Sequence, residues 1–288
     1  MITRIFPFLL PLRTAQKKAF FYAGMLCDGS AYAKTIQGKL LPHKLFCADS
    51  ALYNFHTGFD MIYQKNKVFN LQLAARKLNG LLIKPGETFS FWQALRHADK
   101  QMPYKNGLVV RNGELCLAAG GGLCQMSNML FWLFLHSPLT VVERHTHRIK
   151  SFPTMRGKEP EGVDATVSEG WLDLKVKNET DVTFQIGIAF DEANITGSLL
   201  SDKALPYIYE IAGKDLAYFR ENGAVYQRIA IYRRETELKR RQVGSERLLY
   251  INVCEITYPL SGHTPIMEEV AESHGQKDDR RIIRRLFA

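Results

Sequence analysis

Three consecutive glycines, Gly120, Gly121 and Gly122, lead through Leu123 to Cys124 and Gln125, and a run almost without charge comes after: Met126-Ser127-Asn128-Met129-Leu130-Phe131-Trp132-Leu133-Phe134-Leu135. Thiols attack as thiolates. The first turn of a helix, with its unpaired N–H groups and positive dipole end, favours that anion and can also hold an oxyanion. Downstream, Glu143, His145 and His147 alternate with Arg144, Thr146 and Arg148, so a strand there puts both imidazoles and Glu143 on one face. Asp164 opens the next apolar stretch. The chain order Cys, His, Asp is one of the arrangements that serve thiol acyl transfer. The base takes the thiol proton, the acid orients the base, and backbone N–H groups at Gly122, Cys124 and Gln125 receive the tetrahedral oxyanion.

Each residue also has a plainer reading. A cysteine in an apolar run is commonly a small core residue, and a strand histidine is commonly a satisfied polar group. Three glycines can make only a tight turn, and an Asp can serve local backbone N–H groups. Their combination is what points to chemistry. Zinc is the main competitor, with Cys124, His145 and His147 joined by Asp164 or Cys116. The lack of a compact ligand pair on the cysteine side argues against a structural zinc site, so no metal or other cofactor is expected. A non-catalytic binding module using the same groove is the third reading. Cys27 and Cys47 read as structural, and His136 as a cation at a helix C-terminus. Asn178-Glu179-Thr180 fits a glycosylation sequon, which matters only in a secreted chain. No phosphate loop, dinucleotide fingerprint or nucleic-acid module is present, so nucleic acid is not an expected partner.

The elements that must carry these residues follow from periodicity. Residues 13–26 predict a helix with Ala15, Ala19 and Tyr22 on one face. Val68, Leu71, Ala74, Ala75, Leu78 and Leu82 predict an amphipathic helix ending near Asn79-Gly80. Pro85-Gly86 makes a turn before an extended Thr88-Phe89-Ser90-Phe91-Trp92. Arg111-Asn112-Gly113 predicts a hairpin. The run behind Cys124 predicts a buried central helix that ends before Pro138. Residues 140–147 predict a strand. Residues 163–167 and 171–176 predict a hairpin across Ser168-Glu169-Gly170. Further strands are expected at 183–190, 194–199, 207–211, 224–232 and 247–258. Helices first and then mainly antiparallel strands indicate an α+β fold, a cysteine-bearing central helix packed on the sheet. The expected organisation is an arm and helix over 1–38, a core domain over 39–205, and a β-rich extension with a basic tail over 206–288.

The 38 Lys plus Arg against 29 Asp plus Glu leave a net charge of +9, which suits acidic partners or an anionic membrane face. Five scattered cysteines without a CxxC pair point to a reducing compartment. The first apolar run, Ile5-Phe6-Pro7-Phe8-Leu9-Leu10, holds no small-residue cleavage site and does not read as a signal peptide. No stretch reads as a membrane span. A cytoplasmic location is expected, or a peripheral one with shallow membrane contact through Phe6, Phe8 and Leu9.

Four stretches carry a resemblance: Pro85-Gly86-Glu87-Thr88-Phe89-Ser90-Phe91, Gly120 to Ser127, Val142-Glu143-Arg144-His145-Thr146-His147 and Val163-Asp164-Ala165-Thr166-Val167. Together they resemble the VanW family, from the N-terminus to about Trp171 and more loosely to about residue 260. The resemblance implies an accessory role in glycopeptide-resistance clusters. Some larger secreted proteins with a VanW domain look like L,D-transpeptidases that cross-link peptidoglycan through a cysteine. Carried over, that cysteine is Cys124, with His145 or His147 as base and Asp164 or Glu143 as orienting acid. The implied partner is a peptidoglycan stem peptide or its precursor.

Overall fold

The first described helix, α1 (Leu10–Cys27), leads into β1 (His43–Ala51) and then α2 (Met61–Leu78). Asp60 caps α2, its carboxylate accepting from the Ile62 N–H at 2.8 Å. Asn79 and then Gly80, at φ +84°, end it. Next come β2 (Leu82–Ile83), β3 (Thr88–Ser90) and the short α3 (Phe91–Ala94), capped by the Ser90 hydroxyl. The hairpin β4 (Asn106–Arg111) and β5 (Glu114–Ala119) precedes α4 (Leu123–Leu135). After α4 lie β6 (Thr140–Glu143), β7 (Ile149–Lys150), β8 (Lys175–Lys177), β9 (Phe184–Phe190) and β10 (Asn194–Ser201). Three long strands, β11 (Tyr207–Glu221), β12 (Ala224–Glu237) and β13 (Gln242–Ile256), and the short β14 (Ile266–Met267) complete the computed structural model, which describes residues 10–55, 57–111, 113–151, 159–240 and 242–267.

These elements make an α+β fold with mainly antiparallel sheets. One sheet runs β1-β10-β9-β2, another β3-β8-β6, and β4-β5 pair alone. The fourth sheet is the β11-β12-β13 meander, flanked by parallel β14 on β11 and parallel β7 on β13. In α4, Leu123, Met126, Ser127 and residues 129–135 are buried. It packs on β1, β10 and α2. Phe131 and Phe134 lie at the centre of the core with Phe89, Phe91 and Phe184. The meander joins this body through Arg233, 3% exposed, which donates to the Ser137 carbonyl just past α4.

Several local expectations are corrected. Residues 144–147 leave the sheet after Glu143, so the strand alternation that was to align His145 with His147 does not exist. Residues 163–167 form no strand either; the predicted hairpin reduces to a Ser168↔Leu172 bridge. Phe91 and Trp92 turn into α3 rather than continuing the strand. The pieces expected at 207–211, 224–232 and 247–258 are parts of three strands of 15, 14 and 15 residues. Cys27 and Cys47 are exposed, so neither is a core residue. His136 stacks on Phe46 with ring centroids 3.6 Å apart, and burial pulls its imidazole below the usual range, so it is not a helix-end cation. Asn178 is fully buried. Its amide donates to Ile83 O and Val182 O, and its oxygen accepts from Thr180, so it is a structural clamp and no glycan acceptor. The apolar run at 5–9 and the basic tail from 275 lie outside the described residues. Among the described residues no helix is long and apolar enough to cross a membrane.

Candidate functional site

Two features shape the glycine turn ahead of α4. Gly122 sits at φ +97°, where an L side chain is strained, and a Cβ there would run into the Lys67 stem. Gly121 lies against the Gly107 backbone of β4, where a Cβ would clash outright. Asn70, fully buried on α2, holds the turn: its amide donates to Gly121 O at 3.0 Å and Lys105 O at 2.9 Å, and its oxygen accepts from Lys105 N at 2.8 Å. The glycines are therefore a close-packing device that fixes the start of α4.

Cys124 is the second residue of α4 and partly exposed. Its S–H points to the Val167 carbonyl at 3.8 Å. Burial pushes the thiol above its ordinary range, and the nearby Asp164 charge adds to this. Gln125 N–H is occupied by Gly122 O at 2.9 Å, and its side chain donates to Ser50 and Ala51, which removes it as an oxyanion donor in this conformation.

The segment 163–167 lies over the first turns of α4 because two polar residues of the apolar helix hold it there. Ser127 Oγ donates to Ala165 O at 2.6 Å, and Asn128 Oδ1 accepts from Ala165 N at 2.8 Å. On the segment's other side, Thr166 N donates to His145 O at 2.8 Å. Asp164 is the hub. Its Oδ2 accepts from His147 N at 2.9 Å and pairs with His147 Nδ1 at 2.8 Å. Its Oδ1 accepts from Thr146 Oγ1 at 2.9 Å and Arg144 at 2.8 Å. Burial opposes its ionisation, but the His147 hydrogen bond and the Arg144 charge hold the carboxyl below the usual range. Arg144 also donates to Asp164 O, Gly162 O and Asn252 Oδ1 and lies over the Tyr250 ring, which ties the site to β13.

His145 and Glu143 form a separate group. His145 Nε2 meets Glu143 Oε1 at 3.0 Å, and Lys175 meets Glu143 Oε2 at 2.9 Å. Burial would raise Glu143, yet the His145 and Lys175 hydrogen bonds hold it near about 2. Glu143 also accepts from Asp173 N, at 3.1 Å. Asp173 is fully buried and takes hydrogen bonds from Ser90 and the Trp92 and Leu174 N–H groups. Burial pushes its carboxyl up to about 6.

The histidines open into a cavity of about 490 Å³. Arg144, Arg148, Thr166, Trp171 and Asn252 also line it, whereas Cys124 does not. The Thr166 hydroxyl has no hydrogen-bond partner. The structure thus joins His147 to Asp164 and His145 to Glu143, and sets Cys124 beneath the same segment with its thiol turned to a carbonyl. No group of three metal-ligating side chains converges among the described residues. Sequence reasoning missed Arg144, Asn70 and Asp173. Arg144 was assigned to the opposite face by the alternation. Only the polar pair Ser127-Asn128 inside an apolar helix signalled that something docks there.

The family model described as VanW like protein matches residues 66–200, a span that contains Cys124, both histidines and Asp164. The chain is 55% identical over 267 residues to the vancomycin B-type resistance protein VanW of Enterococcus faecalis, covering 93% of this chain and 97% of that one. It is 35% identical over 115 residues to the uncharacterized protein YoaR of Bacillus subtilis, covering 40% of this chain and 36% of that one. No solved structure matches. Identity at this level across nearly the whole of both chains makes the chain a member of the VanW family.

Proposed function

We propose that this protein serves glycopeptide (vancomycin) resistance by cysteine-dependent acyl transfer on peptidoglycan stem peptides, in the manner of an L,D-transpeptidase. The observation that carries the reading is the His147 Nδ1–Asp164 Oδ2 pair at 2.8 Å, facing a cavity beside the helix turn that bears Cys124. With Nδ1 donating to the carboxylate, Nε2 is left as a proton acceptor. A thiol held neutral by burial needs such a base; it is not a standing thiolate. The thiol proton passes to His147 Nε2 as sulfur bonds to the peptide carbonyl carbon, and the oxyanion takes the Cys124 N–H. The amide C–N bond then breaks, the leaving amine takes the proton from His147, and a thioester remains. An amine acceptor, or water, attacks the thioester, gives its proton to His147, and restores the thiol. Arg144 holds Asp164 ionised throughout. The separation of Cys124 from the cavity wall requires the Val167 carbonyl to release the thiol when peptide binds. The test is product analysis by mass spectrometry of muropeptides incubated with the protein. A tripeptide-linked or trimmed product should form with the wild type and be lost in Cys124→Ala and His147→Gln.

A second reading is favoured by the thiol's own placement. Its hydrogen bond to Val167 and its raised range suit a protein that only binds cell-wall precursor in the cavity. There Arg148, on the cavity wall, receives a carboxylate of the peptide. Muropeptide binding that is unchanged by Cys124→Ala, with no product formed, would select this reading.

A further inference from the structure

α1 packs on the body with one face only. Met25 is buried, Phe21 and Tyr22 are half-buried, and Tyr22 reaches Glu169 at 2.8 Å. At about 3.6 residues per turn the opposite face carries Leu12, Ala15, Ala19, Phe20, Ala23 and Leu26. All six are exposed, Leu12 and Phe20 to 69% and Leu26 to 80%. A solvent-facing helix stripe of this kind, with Gln16 as its polar member, has no role in holding the fold.

We infer that α1 lies on an anionic lipid bilayer through this stripe. Charge argues for that occupant. The first 27 residues hold Arg4, Arg13, Lys17 and Lys18 and no Asp or Glu. The segment ahead of α1 continues the composition, with Ile2, Ile5, Phe6, Phe8 and Leu9 and a single charge, Arg4. α1 is not apolar enough to cross a membrane, and an apolar face bordered by cations is the signature of a helix lying in the interface plane. The helix also fixes where the cavity faces. Lys17 lies over the Trp171 ring, 4.0 Å from its centroid, and Lys18 pairs with Glu169. Trp171 lines the cavity. A docked α1 therefore keeps the Trp171 edge of the cavity about one helix diameter, ~10 Å, from the bilayer, within reach of a lipid-linked or membrane-proximal peptide. This inference is independent of the chemistry proposed for Cys124.

The test is flotation of the full chain with vesicles of phosphatidylcholine containing phosphatidylglycerol, against phosphatidylcholine alone. The wild type should float with the anionic vesicles, with binding at least about tenfold weaker on neutral ones and falling as salt rises. Leu12→Glu with Phe20→Glu should cut anionic binding by at least about tenfold while circular dichroism and Tm stay unchanged. Three results would overturn the inference: a wild type that stays with the protein pellet, variants that float as well as the wild type, or a solution dimer that the same substitutions split.

Discussion

His147 turns both its ring Nδ1 and its backbone N–H onto one oxygen of Asp164, at 2.8 and 2.9 Å. This double contact sets the ring's orientation without a strand beneath it. The same carboxylate takes Arg144 and Thr146 on its other oxygen, so four groups of residues 144–147 converge on one half-buried acid. The site is thus built by a carboxylate hub on a coil, braced by α4 below and β13 beside it.

Removing the hub leaves Arg144, whose side chain is 10% exposed, without its counter-charge. Asp164→Ala should cost about 2–4 kcal/mol, somewhat below the range for breaking a fully buried pair because both partners are half-buried. Urea denaturation measures it. A loss under about 1 kcal/mol would mean that the hub does not hold the segment.

Asn178→Ala strips the partners from two buried carbonyls and from Thr180. A loss of about 2–3 kcal/mol is expected in the same assay, and Asn178→Asp should not rescue it because a carboxylate cannot donate to Ile83 O or Val182 O.

Gly122→Ala should destabilise by about 1–3 kcal/mol, from left-handed strain and displacement of the Lys67 stem. A neutral result in thermal unfolding would show that the turn relaxes freely.

The acid limb of stability has two opposing parts. Glu143 falls from 4.5 to about 2 in the folded chain, so its contribution is complete above pH 4.5 and is lost as pH drops towards 2. It amounts to roughly 2–3 kcal/mol after solvent screening. Asp173 rises from 3.8 to about 6, so the cost of ionising it is absent below pH 3.8 and complete above about 6. Wild-type stability should therefore peak near pH 4–5 from these two groups. Asp173→Asn should flatten the fall between about pH 4 and 6, as urea midpoints across that window would reveal. A fall of unchanged slope in the variant would remove Asp173 from the account.

The sequence was most readable where one physical signal dominated. The 3.6-residue spacing at Val68, Leu71, Ala75 and Leu78 predicts α2 directly, and the Asn-Gly turn predicts the pairing of β4 with β5. Alternation misled at 144–147. Arg144, Thr146 and His147 turn to Asp164 while His145 turns to Glu143, so the contacts follow two carboxylates and not a ladder. The first meander strand was read as a fragment because Gly213, Lys214 and Asp215 interrupt the apolar pattern at a register shift between Lys214 and Ala217. Asp173 was invisible because its partners, Ser90 and the Trp92 N–H, lie more than eighty residues away.

Intact-mass spectrometry of the protein incubated with a purified stem-peptide muropeptide decides whether Cys124 is a nucleophile. An adduct of the acyl fragment's mass should form on the wild type, be released by hydroxylamine as a thioester is, and be absent from Cys124→Ala. Muropeptide that binds the wild type without ever forming an adduct, or an adduct that survives in Cys124→Ala, would contradict that role.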